Sequence, residues 1–124
     1  MRYFIEKTSH NPSIKFENDT LEISGRSIPE DSTKLYDPVI SVIEEYTKNP
    51  FPLTKANFYL EYSNSSSNRS LMSILEILEE LYSKGYNVIV NWYYVQGDME
   101  MLTLGEDFKS LLKLPFNLKD VESF

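Results

Sequence analysis

The sequence predicts an α/β fold on a mixed β-sheet: an N-terminal antiparallel hairpin, then a β-α-β-α-β-α core with helices packed on the sheet. Three observations predict it. Short strand-like runs flank an Asn18-Asp19 turn in the first quarter of the chain. From about Pro52 onward, a period-two run, a run of period three to four and a β-branched run follow one another, an order that calls for parallel strands joined by a helical crossover. Finally, 124 residues with 41% hydrophobic content and seventeen aromatics (seven Phe, nine Tyr, one Trp) suffice for the core of a single domain, 1–124.

Tyr3-Phe4-Ile5 reads as a short first strand and Thr8 to Pro12 as a turn. Ser13–Phe16 and Leu21–Ser24 form the hairpin, which Gly25 ends. Gly25 to Asp31 reads as a loop holding Arg26, Ser27, Pro29 and Glu30. It is either a solvated connection or a second loop beside the serine cluster described below. Asp37-Pro38 reads as a helix start, with the acid as cap and proline at the first position. Val39, Val42, Ile43 and Tyr46 give its apolar face, and Asn49-Pro50-Phe51-Pro52 stops it.

Asn57 to Tyr62 alternates, with Phe58, Leu60 and Tyr62 on one side, as a strand would. Leu71, Ile74, Leu75, Leu78, Leu81 and Tyr82 recur on one helix face, ended by Lys84-Gly85. Asn87 to Val95 is rich in β-branched and aromatic residues and reads as an interior strand covered on both faces. After a turn at Gln96-Gly97-Asp98, Gly105 to Lys113 reads as a last short helix with Phe108, Leu111 and Leu112 inward.

Between the alternating strand and the amphipathic helix lies Asn64-Ser65-Ser66-Ser67-Asn68-Arg69. Short hydroxyl and amide side chains favour helix N-termini because their oxygens accept bonds from unpaired first-turn N–H groups. Ser66, Ser67 or Asn68 suits that role, and a capped polar loop is one reading of the stretch. The other is a phosphorylation site at Ser65, since a helix N-terminus also tolerates a phosphate and Arg69 lies one turn in.

Composition narrows the classes. A net charge of −7 argues against a nucleic-acid binder and against docking on an anionic membrane. With no cysteine, thiol catalysis and thiolate metal sites are excluded. The four glycines are dispersed, so no phosphate-binding glycine loop is present. One histidine, His10, has no visible catalytic partners. No signal-peptide pattern or membrane-length apolar run occurs, so a cytoplasmic location is expected. Asp98, Glu100, Glu106 and Asp107 are the one acidic group able in principle to hold a hard cation or do acid–base work.

Several motifs in order carry a family resemblance: Gly25-Arg26-Ser27-x-Pro29-Glu30, Tyr36-x-Pro38, Leu60-x-Tyr62-x-Asn64-Ser65-Ser66-Ser67, Asn91-Trp92-x-Tyr94, Asp98, and Gly105-Glu106-Asp107-Phe108. This set, spanning Tyr3 to Phe116, resembles the SiaC-type regulatory phosphoproteins of bacteria. The resemblance implies a STAS-like fold, similar to anti-sigma-factor antagonists, and a non-catalytic phosphorylation switch. It implies an anti-sigma-like serine/threonine kinase and a PP2C-type phosphatase as partners. A diguanylate cyclase, bound by the unphosphorylated form, is the implied output, which connects the switch to biofilm formation. The family's phosphorylated threonine falls on Ser65, with Asn64, Ser66 and Ser67 as loop neighbours. Asn11 and Val42 stand where family members commonly carry Thr and Trp. No cofactor or metal is implied, and an exposed sheet edge fits a monomer or weak homodimer. A small acidic metal- or ligand-binding domain using the Asp98–Asp107 carboxylates, or an unmodified adaptor, are the rival readings.

Overall fold

The computed structural model describes residues 2–124. Its elements are β1 (Arg2–Ile5), β2 (Ser13–Glu17), β3 (Thr20–Ser27), α1 (Ser32–Tyr46), β4 (Leu53–Ser63), α2 (Ser65–Ser83), β5 (Asn87–Val95), α3 (Met99–Leu111) and β6 (Phe116–Val121). The six strands form one sheet in the order β1-β2-β3-β4-β5-β6. Strands β1 to β3 pair antiparallel, and β3 to β6 pair parallel. The mixed α/β architecture and the N-terminal hairpin are therefore as the sequence predicts. Asn18 makes the hairpin turn at φ 55, a left-handed conformation that asparagine tolerates.

All three helices lie on one face of the sheet. Each parallel connection crosses with one preferred hand, and each new strand is added on the same side, so the crossovers stack together. Phe16 meets Tyr46 of α1 with ring centroids 4.9 Å apart. Trp92 meets Phe108 of α3 at 5.5 Å. Between the layers, Ile14, Ile23, Phe58, Leu71, Leu75 and Trp92 are fully or almost fully buried. Strand β5 runs over the predicted residues and is interior, but it is covered on one face only. Val88, Val90 and Trp92 are buried while Ile89, Asn91 and Tyr93 on the other side are half exposed. Among the described residues no helix is long and apolar enough to cross a membrane.

Several boundaries differ from the sequence expectation. Helix α1 is capped by Asp31, whose side chain accepts from the Lys34 N–H, and Pro38 lies inside the helix rather than at its start. Proline removes one helical bond and crowds the preceding turn, but Lys34, whose carbonyl loses its partner, is solvent-facing, as is Pro38. Helix α3 starts at Met99 with Asp98 as its cap, so Gly105 is interior. Its buried residues are Met101, Gly105 and Phe108, and Leu111 is 65% exposed. Tyr82 likewise points outward from α2. Strand β6 was not expected: its Asn117, Lys119 and Asp120 are exposed, and Phe116 supplies the buried anchor.

Gly25 does not end its strand. The β3–β4 register shifts between Gly25 and Arg26, with Gly25 opposite Leu60 and Arg26 opposite Tyr62. This bulge inserts Glu61 and inverts the alternation beyond it. Tyr62 therefore turns away from the core and Ser63 points into it, beside Ser27, which faces inward by the unbroken alternation of β3.

Candidate functional site

The serine cluster sits where β4 hands the chain to α2. Asn64 is the N-cap, where Ser66, Ser67 or Asn68 was expected. Its backbone is extended (φ −81, ψ 170), and its Oδ1 accepts from the Ser67 N–H at 2.9 Å. Ser65, Ser66 and Ser67 are thus the first three residues of a 19-residue helix with no acid in its first turn. Unpaired N–H groups and the helix dipole make this end electropositive.

The three serines have different surroundings. Ser67 is fully buried. Its hydroxyl donates to the Ser27 carbonyl at 3.1 Å and accepts from the Ser27 hydroxyl at 2.8 Å. Since the single Ser27 hydroxyl proton goes to Ser67, the Tyr36 hydroxyl must donate to Ser27 Oγ, 2.6 Å away. The Ser27 carbonyl also accepts from the Asn64 N–H at 3.0 Å. A directed chain, Tyr36 to Ser27 to Ser67, thereby ties α1, β3 and the start of α2 together.

Ser66 is half buried and donates to Asn64 Oδ1 at 3.2 Å. Its proton being used there, Ser32 of α1 donates to Ser66 across 2.6 Å. Ser65 is exposed, and its hydroxyl makes no hydrogen bond among the described residues. Of the three adjacent hydroxyls, this one is free to react.

An open cleft of about 390 Å³ separates the N-termini of α1 and α2. Glu30, Asp31 and Asp37 line it from one side, Ser66 and Arg69 from the other. Arg69 is exposed and has no ion pair among the described residues. Ser27 and Glu30 thus do lie beside the serine cluster. Arg26 does not: it leaves on the opposite sheet face, 5.9 Å from the centroid of the Tyr62 ring.

Two participants escaped sequence reasoning, Ser32 and Tyr36. The signal for Ser32 was Asp31, an acid three residues before Lys34, but Asp37-Pro38 offered a stronger start signal. Tyr36 owes its role to burial and to Ser27, which no local pattern displays. Burial pushes its hydroxyl from the usual 10.0 up to about 12, against smaller opposing effects of the nearby Ser27 and Ser67 hydroxyls. The folded pKa lies above the unfolded one, so this contribution to stability is complete below about pH 10 and lost between about pH 10 and 12. It amounts to about 2–3 kcal/mol. In urea unfolding across that range, Tyr36→Phe is expected to lose less stability than the wild type. An equal alkaline loss in both proteins contradicts the assignment.

The acidic group does not converge. Asp98 is used as the α3 cap, accepting from the Met101 N–H at 3.1 Å, and Glu106 and Asp107 are exposed two turns further on. Among the described residues no three His, Cys, Asp or Glu side chains are placed to hold a metal ion. His10 is exposed, with Ser9 Oγ 2.9 Å from its Nδ1.

Comparison with known proteins gives consistent relatives. The chain is 29% identical over 117 residues to an uncharacterised protein of Pseudomonas aeruginosa strain UCBPP-PA14, covering 93% of each. Its structure is similar to SiaC of Pseudomonas aeruginosa, with a TM-score of 0.90, 28% identity, and 98% of this chain and 99% of that one covered. A structure of the diguanylate cyclase SiaD in complex with its activator SiaC, from the same organism, matches with a TM-score of 0.91 at 28% identity, covering 96% of this chain and 99% of that one. The model of the SiaC family regulatory phosphoproteins matches residues 5–121, nearly the whole of this chain, and the chain belongs to that family.

Proposed function

We propose that this protein is a non-catalytic signalling switch, reversibly phosphorylated on Ser65, that controls binding to a protein partner. The observation that carries the reading is the contrast among the serines: Ser66 and Ser67 are engaged, and Ser65 is exposed and unbonded on an electropositive helix end. The Ser65 hydroxyl would attack the terminal phosphoryl group of a nucleoside triphosphate held by the kinase: the Ser65 O–P bond forms as the bond to the departing nucleoside diphosphate breaks, and the hydroxyl proton passes to a base of the kinase. All catalytic groups then belong to the modifying enzymes, an anti-sigma-like serine/threonine kinase and a PP2C-type phosphatase. The added charge of about −1.5 to −2 is favourable beside the α2 N-terminus and Arg69, and unfavourable toward Glu30, Asp31 and Asp37 across the cleft. Phosphorylation would therefore change the charge pattern of this end without unfolding it.

The output partner on this reading is a diguanylate cyclase. Support comes from the family and from the solved complex in which the relative SiaC is the activator of SiaD. Binding of Ser65→Ala and Ser65→Asp proteins to the cyclase encoded in the same genome tests it. The Asp variant is expected to bind at least about tenfold more weakly than the Ala variant, a difference of about 1.4 kcal/mol. Equal affinities, together with no phosphate on Ser65 by mass mapping of protein from its native cells, would leave an unmodified adaptor as the better description.

A further inference from the structure

The sheet face away from the helices is built from two rows of side chains that cross the parallel strands in register. In one, Asn117 Nδ2 donates to Asn91 Oδ1 at 3.1 Å, and Asn91 Nδ2 donates to Asn57 Oδ1 at 2.9 Å. Two residues further along each strand, Tyr59 and Tyr93 stack with centroids 4.5 Å apart and planes 12° from parallel. Lys119 closes this second row, its Nζ 5.6 Å from the Tyr93 centroid. Above the tyrosines lies a trough of about 550 Å³, with Phe4 (54% exposed) on its β1 side and Phe124 (49% exposed) beyond β6.

Charge on this face runs against the molecule as a whole. The chain carries −7. Yet the outward strand positions hold Arg2, Lys15, Arg26, Lys55 and Lys119 against Glu17, Glu22 and the bulged Glu61. Arg2 and Lys15 share Glu17, at 3.7 and 3.9 Å. Among the described residues no ion pair engages Arg26, Lys55 or Lys119.

We propose that this face docks an acidic, extended segment of a partner protein. Apolar side chains of the segment would enter the trough over Tyr59 and Tyr93, and its carboxylates would meet Lys55 and Lys119. The amide row offers peptide groups a donor at Asn57 Nδ2 and an acceptor at Asn117 Oδ1, neither of which has a hydrogen-bond partner among the described residues. Six strands span about 24 Å, the length of about seven extended residues. A long polyanion is disfavoured, because its charges that extend past this patch lie more than a Debye length, about 8 Å, from the patch's cations and come close to the acidic remainder of the surface. The proposal is independent of Ser65.

The test is an amide NMR titration of the labelled full chain with a blocked peptide of about ten residues, alternating Glu with Leu and Tyr. Its Gln-for-Glu counterpart and a thymidylate oligonucleotide of similar length serve as comparisons. Shifts are expected at Asn91, Tyr93 and Lys119. Affinity is expected to fall about tenfold with the Gln peptide, and as much with Lys55→Glu/Lys119→Glu, two exposed positions whose exchange leaves the fold intact. Absence of shifts at millimolar peptide overturns the proposal. So do shifts confined to α1 and α2, equal affinity of the two peptides, or tighter binding of the oligonucleotide.

Discussion

Gly105→Ala is expected to lower the unfolding free energy by about 3 kcal/mol, although the same exchange in an open helix raises it by about 1. A Cβ at this position would stand 2.5 Å from Trp92 Cδ1, 2.7 Å from its Nε1 and 2.8 Å from Leu118 Cδ2. Leu118 Cδ2 ends a half-buried side chain that can turn aside, but the two Trp92 atoms belong to a rigid ring that cannot. Trp92 is fully buried, packs on Phe58 and Phe108, and donates from Nε1 to the Met101 carbonyl at 3.0 Å. To admit the methyl group, α3 must lift from the sheet, breaking that bond and opening the aromatic cluster. Since Trp92 is the only tryptophan, its emission reads the site directly. A lower urea midpoint with red-shifted native emission is the expected result. An alanine variant as stable as the wild type, with unchanged emission, would show that the α3–sheet contact is looser than described.

The second large effect is expected at Ser67. Ser67→Val should cost about 2–3 kcal/mol, because two buried groups are affected at once. The Ser27 hydroxyl loses its acceptor and the Ser27 carbonyl one of its two donors, and each unmet buried polar group costs about 1–3 kcal/mol. The residue acts within a network, so the cost should not add to that of Tyr36→Phe. A double-mutant cycle is expected to show a coupling of about 1 kcal/mol. Strict additivity would mean that the three hydroxyls do not act as a chain. The same geometry separates Ser67 from Ser65 as a target for modification. A phosphate on Ser67 would place charge in a sealed pocket and force α2 off β3.

The hairpin, the extent of β5 and the strand-to-helix position of the serines were legible in the sequence because each rests on local pattern. Asn18-Asp19 names its turn, and Asn87 to Val95 has no competing period. What was missed depended on partners far along the chain. Asp37-Pro38 is a good local start signal, but the buried Tyr36, which carries α1 back past it, finds its partner on β3. Gly105 looked like a helix boundary, yet it lies inside α3, and it is glycine there because the Trp92 ring occupies the space of a side chain. The bulge at Glu61 is invisible until β3 lies alongside, and with it went the true facing of Tyr62. For the site, the serine cluster and the place of Ser65 could be read. The contact between Ser27 and Ser67, forty residues apart, could not.

Strand order in space repeats strand order in sequence, and this bears on how the protein is made. No strand has to be inserted between two that are already paired. A nascent chain can therefore extend its sheet outward from the first hairpin, one crossover at a time, as successive segments leave the ribosome. Each parallel step closes a single crossover, the longest pairing Ser27 with Ser63 and the shortest Val90 with Phe116, and since closure entropy grows only slowly with length no addition costs much more than another. The apolar side of β5 is then the last to be sheltered, since α3 and β6 emerge after it. Stalling synthesis before Met99 would expose Trp92 and Phe58, the pair most in need of cover, to chaperones and proteases.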